Sequence, residues 1–557
     1  MPAPLAPLRR PHRTGARLLG ALLLAPPVLL AQTNPAATPP LAAVADRVFA
    51  PYASTNGPGC AVGIAQGGIT RLERGYGMAD LAGHRAITPQ TVLESGSVAK
   101  QFTATALLLL AHDGRLSLDD DARKYLPELP EYGRTITIRH LLTHTSGLRE
   151  WSNLVALQGW PRGTRLHTNP DVVRLISAQR ALNYPVGDHY SYTNSGFLLA
   201  HAIIERVSGQ SFAQFTHARI FAPVGMTHTA WRDDFTRLVP DLAQAYRRVN
   251  GEWHIDMPGD NVVGAGGMWT TVGDWLRWND ALTRKALPGG IADSLLRRMR
   301  LTNGLEIAYA LGITVNSYRG ATQVSHSGST AGYSTYLVRY PSLNDLSIAI
   351  MCNAAGANAT GMAHQLVDAL HPELPRTAEP DTVPTPHATL TVWRGVYEDT
   401  RWHSTATLDT AGGLLRADGV PVRTLRDGSW LALGQRMIPH VDPQGARTLR
   451  LATSDGDSVV VAWRALPGWS PTASDLTAYA GSYRSDEVQN TVRVTVTGDR
   501  LMLRTREGAE EALTAVYRDH FDGASGSVWF TRDRRGRVNA LHIGESRMWD
   551  MVLRRVP

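Results

Sequence analysis

Residues 93–100 read Leu93-Glu94-Ser95-Gly96-Ser97-Val98-Ala99-Lys100 and bring a serine and a lysine three positions apart. The lysine is one of only three in a chain of 557 residues that contains 53 arginines. Arginine keeps its proton at any pH that a protein meets, whereas a buried lysine can lose its proton and act as a base. The spacing of Ser97 and Lys100 is therefore typical of a serine hydrolase, although alone it also fits a helix N-cap serine beside a solvated lysine.

The residues that follow predict a buried helix over 97–112. This segment is apolar on almost every side and ends at Asp113-Gly114, and a helix with that pattern belongs in the centre of a domain. Ser97 would begin the helix and Lys100 would follow one turn later on the same face, so that both side chains can point at one spot. The positive end of the helix also favours an anionic intermediate there.

Two further motifs follow in a fixed order, Tyr192-Thr193-Asn194 and His326-Ser327-Gly328. A hydroxyl is a poor nucleophile until a base takes its proton, and Lys100 is a candidate base for Ser97 if burial lowers its pKa. Each triplet alone is a weak signal. The value of the three motifs lies in their occurring together and in this order.

Together these motifs resemble the serine penicillin-recognising superfamily, in its class C β-lactamase and D-alanyl-D-alanine carboxypeptidase branch. The resemblance covers residues 51 to about 370, within a hydrolase domain predicted for 46–370. It implies an α/β (α+β) fold with a central antiparallel sheet flanked by helices. Further segments that look like the framework of that family are Gly75-Tyr76-Gly77, 136–147, 220–226 and Gly266-Gly267-Met268.

Carried over position by position, the resemblance implies that Ser97 is the acylated nucleophile. Lys100 and Tyr192 would share its proton and pass one to the leaving group, and which of the two is the formal base stays open. The reaction needs no metal and no cofactor.

The resemblance also implies the substrate-binding residues. Asn194 would hydrogen-bond the amide side of the substrate, and His326, Ser327 and Gly328 would border it. The backbone N–H groups of Ser97 and Ser329 would form an oxyanion hole, a contribution worth about 3 to 4 kcal/mol per donor.

One departure from the family pattern concerns specificity. Typical β-lactamases carry a lysine in the third triplet, whereas this chain has His326, which is neutral most of the time at pH 7. The expected activity is therefore D-aminopeptidase, D-peptidase or esterase-like hydrolysis of a small amide or ester, with weak β-lactamase activity at most. The alternative is a penicillin-binding or peptidoglycan-fragment sensor that is acylated without turnover.

The last third of the chain reads as all-β. Five prolines make 371–387 a predicted linker, and short apolar-polar alternations follow it. Residues 390–397 return in similar form at 476–483, which predicts two small antiparallel β-barrels, at 388–470 and 471–557. A catalytic domain followed by two barrels resembles the three-domain D-aminopeptidases, in which a barrel loop reaches the active site.

The N-terminus predicts export to the periplasm or the medium. Residues 1–31 have a basic stretch followed by an apolar run, as in a signal peptide, and a retained membrane anchor is the alternative. Residues 32–45 read as a disordered spacer.

The net charge of +7 is dispersed along the chain, which argues against nucleic-acid binding. A small molecule or short peptide is the expected partner, and the oligomeric state stays open.

Cysteine and histidine usage raises two further questions. His140 and His144 are four positions apart, but no third metal ligand lies nearby in sequence, so a buried turn at His144 is preferred to a metal site. The resemblance implies that Cys60 begins the first strand of the sheet, that Cys352 ends the last one, and that these strands are neighbours. A disulfide is compatible with export, but cross-strand pairs are geometrically demanding, so two free buried thiols are expected.

Overall fold

The computed structural model describes residues 40–376, 379–432, 435–452 and 461–557. The expected signal peptide, and the expected spacer up to residue 39, lie outside the described residues. Residues 41–45, also expected in that spacer, instead begin helix α1 (Leu41–Phe49). Helix α1 packs against the rest of the fold through Val44, Ala45 and Phe49, which have no exposed surface.

Strands and helices alternate irregularly up to residue 370. The strands are β1 (Cys60–Gln66), β2 (Ile69–Tyr76), β3 (Met78–Asp80), β4 (Arg85–Ala86), β5 (Leu93–Glu94), β6 (Ala230–Trp231), β7 (Tyr246–Val249), β8 (Glu252–Ile255), β9 (Met268–Thr270), β10 (Thr314–Tyr318), β11 (Ala321–Thr330), β12 (Tyr333–Tyr340) and β13 (Leu346–Cys352). The helices after α1 are α2 (Lys100–His112), α3 (Ile138–Leu142), α4 (Trp151–Leu157), α5 (Asn169–Ser177), α6 (Ser195–Ser208), α7 (Phe212–Thr216), α8 (Ala222–Val224), α9 (Val272–Thr283), α10 (Ile291–Leu295) and α11 (Ala359–Leu370).

A six-stranded antiparallel sheet organises this part, in the order β10-β11-β12-β13-β1-β2. On one face, α1 and α11 pack against the sheet and bury residues such as Ile350 and Leu366. On the other face, Gly63 of β1 leaves room for Val272 and Leu276 of α9, because a Cβ at this glycine would meet Leu276 at 3.0 Å. The predicted β-lactamase/transpeptidase-like fold, a central antiparallel sheet flanked by helices, is confirmed.

Helix α2 lies in the centre of the main core, as its sequence predicts. Every residue from Lys100 to Leu110 is buried, and Phe102 packs against Trp278 with a ring distance of 4.5 Å. The predicted segment is not uniformly α-helical, because a 3-10 turn, Gly96–Ala99, precedes α2 and carries Ser97.

The C-terminal part is all-β, and its two halves close differently. The first half contains α12 (His387–Val392) and a ten-stranded sheet that forms a half-barrel; the second contains α13 (Ala473–Leu476) and a closed eight-stranded barrel. The strands of the half-barrel are β14 (Thr382–Val383), β15 (Gly395–Asp399), β16 (Thr405–Ala411), β17 (Leu414–Ala417), β18 (Val420–Pro421), β19 (Arg423–Leu425), β20 (Trp430–Ala432), β21 (Gln435–Val441), β22 (Arg447–Ala452) and β23 (Val461–Leu466). The strands of the closed barrel are β24 (Gly481–Ser485), β25 (Asn490–Thr497), β26 (Arg500–Arg506), β27 (Ala509–Tyr517), β28 (His520–Gly523), β29 (Gly526–Arg532), β30 (Val538–Glu545) and β31 (Met548–Val556). Strand β14 falls inside the expected linker and pairs with β19.

The sequence repeat corresponds to a structural repeat. In each half a short helix is followed by a strand that begins at a glycine, Gly395 in β15 and Gly481 in β24. In each strand the hydroxyl of a fully buried tyrosine donates a hydrogen bond to the backbone carbonyl four residues earlier. Tyr397 donates to Trp393, and Tyr483 donates to Tyr479. The same side-chain bond thus closes the start of both β-structures.

The closed barrel packs directly on the helical part of the molecule, and residues 41–557 form one compact unit. The buried Arg149 donates to Glu487 Oε2 at 2.7 Å and to the carbonyl of Asp550 at 2.6 Å. Asn490 donates to the carbonyl of Leu157 at 2.7 Å. The barrel is therefore held by buried polar contacts at the start and the end of α4.

Cys60 and Cys352 form a disulfide, so the expectation of two free thiols is wrong. Strands β1 and β13 are antiparallel neighbours, and their register places the two cysteines directly opposite each other. Their Cα atoms are 4.0 Å apart. The register of the sheet, which the sequence could not supply, brings the two cysteines within bonding distance.

Among the described residues, no helix combines the length and the apolar character that a membrane crossing requires.

We expect the purified protein, denatured without reductant, to show no alkylatable thiol, and to gain two after reduction. Because the bridge closes a loop of 292 residues, reduction should lower the free energy of unfolding by about 2 to 4 kcal/mol. Intact mass after alkylation and thermal melts with and without reductant measure both effects. The double variant Cys60→Ala/Cys352→Ala is the control and should not respond to reductant; two alkylatable thiols in the unreduced protein would contradict the pairing.

Candidate active site

Ser97 and Lys100 meet as their spacing predicts. The Lys100 side chain has no exposed surface, and its Nζ lies 3.1 Å from Ser97 Oγ, 2.8 Å from Asn194 Oδ1 and 2.6 Å from the carbonyl oxygen of Ala265. The amide and carbonyl oxygens can only accept hydrogen bonds. A neutral amine has two N–H donors for these two oxygens, which leaves its lone pair for the Ser97 hydroxyl.

The surroundings of Lys100 favour that neutral form. Burial lowers its pKa well below the ordinary lysine value, because the ammonium form would lose its hydration. The charge of Glu150 opposes this shift, whereas the charges of Arg547 and Arg162 add to it. Lys100 therefore has the environment of a general base.

Tyr192 lies beside this pair. Its ring is 4.9 Å from Lys100 Nζ, and burial raises the pKa of its phenol, with Ser97 exerting a smaller opposite effect. The hydroxyl faces Ser97 but makes no hydrogen bond of ordinary geometry within the described residues. A phenol with a raised pKa stays protonated, so it can donate a proton and is a poor first base.

Asn194 and Glu150 hold the lysine in place. The Asn194 side chain accepts from Lys100 and donates to Glu150 Oε1 at 3.0 Å, and its backbone N–H donates to Glu150 Oε2 at 2.5 Å. Thr193 Oγ1 adds a third bond to the same carboxylate at 3.0 Å. Glu150 has no exposed surface and fixes Asn194, which in turn orients Lys100.

Gly96 lets the turn that carries Ser97 lie against Ser329, whose backbone N–H is the other expected oxyanion donor. Gly96 has φ +51, and a Cβ there would lie 2.6 Å from the backbone nitrogen of Ser329. Gly328 is equally constrained, since a Cβ would lie 2.1 Å from the carbonyl oxygen of Ser95. Only glycines allow the turn before Ser97 to touch β11.

A small cleft of about 50 Å³ opens beside these groups, and its lining includes Ser97, Asn194 and Ser329. Ser327 and Gly328 lie outside that lining on the same strand. Of the expected substrate-binding residues, the structure therefore brings Asn194 and Ser329 to the cleft beside the nucleophile.

His326 is buried and has no free ring nitrogen. Its Nδ1 lies 2.6 Å from the carbonyl oxygen of Ser327, and its Nε2 lies 2.8 Å from the hydroxyl of Tyr309. A carbonyl only accepts, so Nδ1 carries the proton and Nε2 accepts from Tyr309. Burial, reinforced by Lys100, lowers the pKa of His326 to about 3, and the ring is neutral at pH 7.

His140 and His144 serve different structural purposes. His140 completes the capping box of α3 with Thr137, whereas His144 accepts the backbone N–H of Thr193 at 3.2 Å and faces the Tyr192 ring at 4.2 Å. Among the described residues, no group of three or more histidine, cysteine or acidic side chains is arranged to hold a metal ion.

Two arginines in the cleft wall are paired with acids. Arg232 donates to Glu94 at 2.9 Å and to Asp260 at 3.0 Å. Arg162 donates to the other oxygen of Asp260 at 2.7 Å. Two arginines and two acids thus form one network beside Ser97, in which burial raises the pKa of Glu94.

The closed barrel contributes to the site through the turn between β30 and β31. Glu545 accepts from Asn153 Nδ2 at 2.5 Å, and the carbonyl of Arg547 accepts from the backbone N–H of Glu150 at 3.1 Å. The Arg547 guanidinium lies 5.0 Å from the Tyr192 ring centre. This turn is the barrel loop that the sequence could not locate.

Sequence reasoning missed Glu150, Tyr309 and Arg547. Glu150 follows closely on the framework segment 136–147, which is a positional hint only. Tyr309 lies in an irregular stretch, and Arg547 is one of 53 arginines. No spacing rule connects these residues to Ser97.

Comparison with known proteins agrees with this geometry. A family model described as Beta-lactamase matches residues 44–371. Penicillin-binding protein 4* of Bacillus subtilis is 31% identical over 295 residues, which cover 50% of this chain and 64% of that protein. This chain thus matches less than two thirds of that relative's length.

A second relative matches along nearly the whole chain. A D-aminopeptidase of Cereibacter sphaeroides is 26% identical over 523 residues, covering 88% of this chain and 94% of that protein. Among solved structures, the D-amino acid amidase from Ochrobactrum anthropi SV3 complexed with D-phenylalanine superposes with a TM-score of 0.51 at 20% identity, covering 60% of this chain and 99% of the other. At that identity the likeness concerns the fold.

Replacing Glu150 with Gln should shift the acidic limb of the kcat/KM profile to lower pH. The carboxylate raises the pKa of Lys100, so its removal makes the ammonium form still less favourable and Lys100 stays unprotonated at lower pH. We also expect kcat to fall by about tenfold or more, because the amide of Gln keeps one acceptor oxygen and places an NH2 group against one of the two donors of Asn194. Rates measured across pH on Glu150→Gln and on Glu128→Gln, an exposed acid paired with Arg206, test this; a limb that stays in place or moves upward counts against the assigned role.

Proposed function

The chain belongs to the β-lactamase family, and we propose that this serine hydrolase cleaves small amides or esters through an acyl-enzyme on Ser97. The observation that carries the proposal is the contact between Ser97 and the buried Lys100. Ser97 needs a base, and Lys100 has a lowered pKa and lies within hydrogen-bonding distance of the Ser97 hydroxyl.

In the first step, Ser97 Oγ attacks the carbonyl carbon of the substrate while its proton passes to Lys100. The negative charge on the carbonyl oxygen is met by the N–H groups of Ser97 and Ser329, whose close approach Gly96 permits. The bond from carbon to the leaving nitrogen or oxygen then breaks. Tyr192 donates a proton to the leaving group and recovers one from Lys100.

In the second step, water attacks the ester carbon of the acyl-enzyme. It loses a proton to the same Lys100–Tyr192 pair, and Ser97 Oγ leaves as the regenerated hydroxyl. The acid product departs and the residues return to their starting protonation states. Neither step uses a metal or a cofactor.

We favour amides of D-amino acids as substrates. A relative that matches 88% of the chain is named a D-aminopeptidase, and a structural neighbour is named a D-amino acid amidase. His326 is neutral and hydrogen-bonded through both nitrogens, so it offers no cation to a β-lactam carboxylate. Weak β-lactamase activity at most is expected.

We also propose that the protein is exported. Residues 1–31 have the basic and apolar pattern of a signal peptide. The disulfide between Cys60 and Cys352 supports this, because such bonds persist in oxidising compartments.

Ser97→Ala should abolish both activity and covalent labelling. A fluorophosphonate or a penicillin should add its mass to the wild-type protein, and the labelled peptide should contain Ser97. Equal labelling of both proteins would refute the nucleophile. Product release that stops after one equivalent per Ser97 would instead favour a penicillin-binding sensor over an enzyme.

Lys100→Arg should reduce kcat by about a thousandfold or more, since arginine keeps the positive charge but cannot accept the proton. The other two lysines provide matched controls. Lys124 and Lys285 form exposed ion pairs with Asp120 and Asp293, so Lys124→Arg and Lys285→Arg should retain wild-type turnover. Steady-state rates with D-alaninamide measure all three variants, and wild-type turnover in Lys100→Arg removes lysine from the mechanism.

A further inference from the structure

The turn between β30 and β31 is fixed to the catalytic part by its backbone. The carbonyl of Arg547 accepts from the backbone N–H of Glu150 at 3.1 Å and from Asn183 Nδ2 at 3.0 Å. The turn is also held at Trp549, whose backbone N–H donates to Asn183 Oδ1 at 3.0 Å. The position of the turn therefore does not depend on the Arg547 side chain.

That side chain is left available at the active site. Arg547 is exposed, and its guanidinium lies 5.0 Å from the centre of the Tyr192 ring. In the part of the chain that the structure describes, the guanidinium has no ion pair, and its ring contact with Tyr192 leaves its N–H donors unused. Its charge nevertheless reaches the reacting groups, because it adds to the lowering of the pKa of Lys100 by burial and opposes the rise that burial causes in the pKa of Tyr192.

The other arginines around the site are already paired. Arg162 and Arg232 share Asp260, and Arg149 binds Glu487 at 2.7 Å. His326 is neutral, and both of its ring nitrogens have partners. Of the arginines named here, Arg547 is the one without an acidic partner among the described residues, whereas Arg232 keeps two ion pairs although its Nη1 makes no hydrogen bond.

The position of Arg547 also indicates which part of the substrate it meets. In the mechanism above, Tyr192 donates the proton to the leaving group. A guanidinium against the Tyr192 ring is therefore on the leaving-group side of the scissile bond. Five N–H donors in a planar fork suit a carboxylate at that place.

We propose that Arg547 binds the free carboxylate of the leaving group, so that the preferred substrates are short peptides that release an amino acid with an unblocked α-carboxylate. The inference rests on the proposed function and adds the substrate class to it. The cation that the third triplet of this chain lacks is supplied by the closed barrel, which makes the barrel part of the substrate-binding site.

The test compares two substrates that differ only in that charge, D-alanyl-D-alanine and D-alanyl-D-alaninamide. Chromatography of released D-alanine or D-alaninamide gives kcat/KM for each, and their ratio measures the preference for the carboxylate. Arg547→Gln should lower this ratio by about tenfold or more, mainly through the KM of the peptide acid. The ratio for Arg547→Lys should lie between those of the wild type and Arg547→Gln, because lysine keeps the positive charge but lacks the planar, bidentate donors of the guanidinium.

Arg493→Gln is the matched control. Arg493 is an exposed arginine on β25 of the same barrel, and its replacement should leave the ratio and both rates as in the wild type. An unchanged ratio in Arg547→Gln overturns the proposal. Equal loss on both substrates, with the acidic limb of the rate profile moved to higher pH, also overturns it, because Arg547 would then act on Lys100 and not on the substrate.

Failure of the proposed function gives a different result. If the wild-type protein cleaves neither substrate and a fluorophosphonate does not label Ser97, both the function and this inference fall. If Ser97 is labelled and both substrates turn over, only the ratio decides, and the role of Arg547 is judged independently of the nucleophile.

Discussion

The candidate active site depends on the burial of Lys100 beside Ser97. A buried ammonium is costly unless it is paired, so the pKa of the group falls. The fold meets this requirement by placing Lys100 at the start of a helix with almost no exposed surface. Asn194 and Ala265 take its two donors, and the remaining lone pair is left for the serine hydroxyl.

The support for this arrangement extends outward through two consecutive residues. Glu150 fixes Asn194, which orients Lys100. Arg149, immediately before it, binds Glu487 of the closed barrel, and the backbone N–H of Glu150 donates to the carbonyl of Arg547 in the same barrel. The barrel is therefore connected to Lys100 by a short series of hydrogen bonds through Glu150 and Asn194.

The positively charged side chains around the cleft differ in whether they have an acidic partner. Arg162 and Arg232 are neutralised by acids in one network, and His326 is neutral because it is buried and hydrogen-bonded on both sides. Arg547 is left as an available cation at the site. In the two proposals made above, specificity depends on a segment near the end of the chain, whereas the chemistry depends on residues near its beginning.

The sequence by itself determined those features of the protein that depend on residues close together in the chain. A serine and a lysine three positions apart share a face of any helix, the apolar run after them requires burial, and a repeated segment forms the same tyrosine-closed strand twice. The bridge between Cys60 and Cys352, the support from Glu150 and the place of Arg547 were decided only by the tertiary structure. Each of these depends on the register of a sheet or on how the barrel packs against the helices, and contacts between residues far apart in sequence leave no periodicity or spacing from which they could be read.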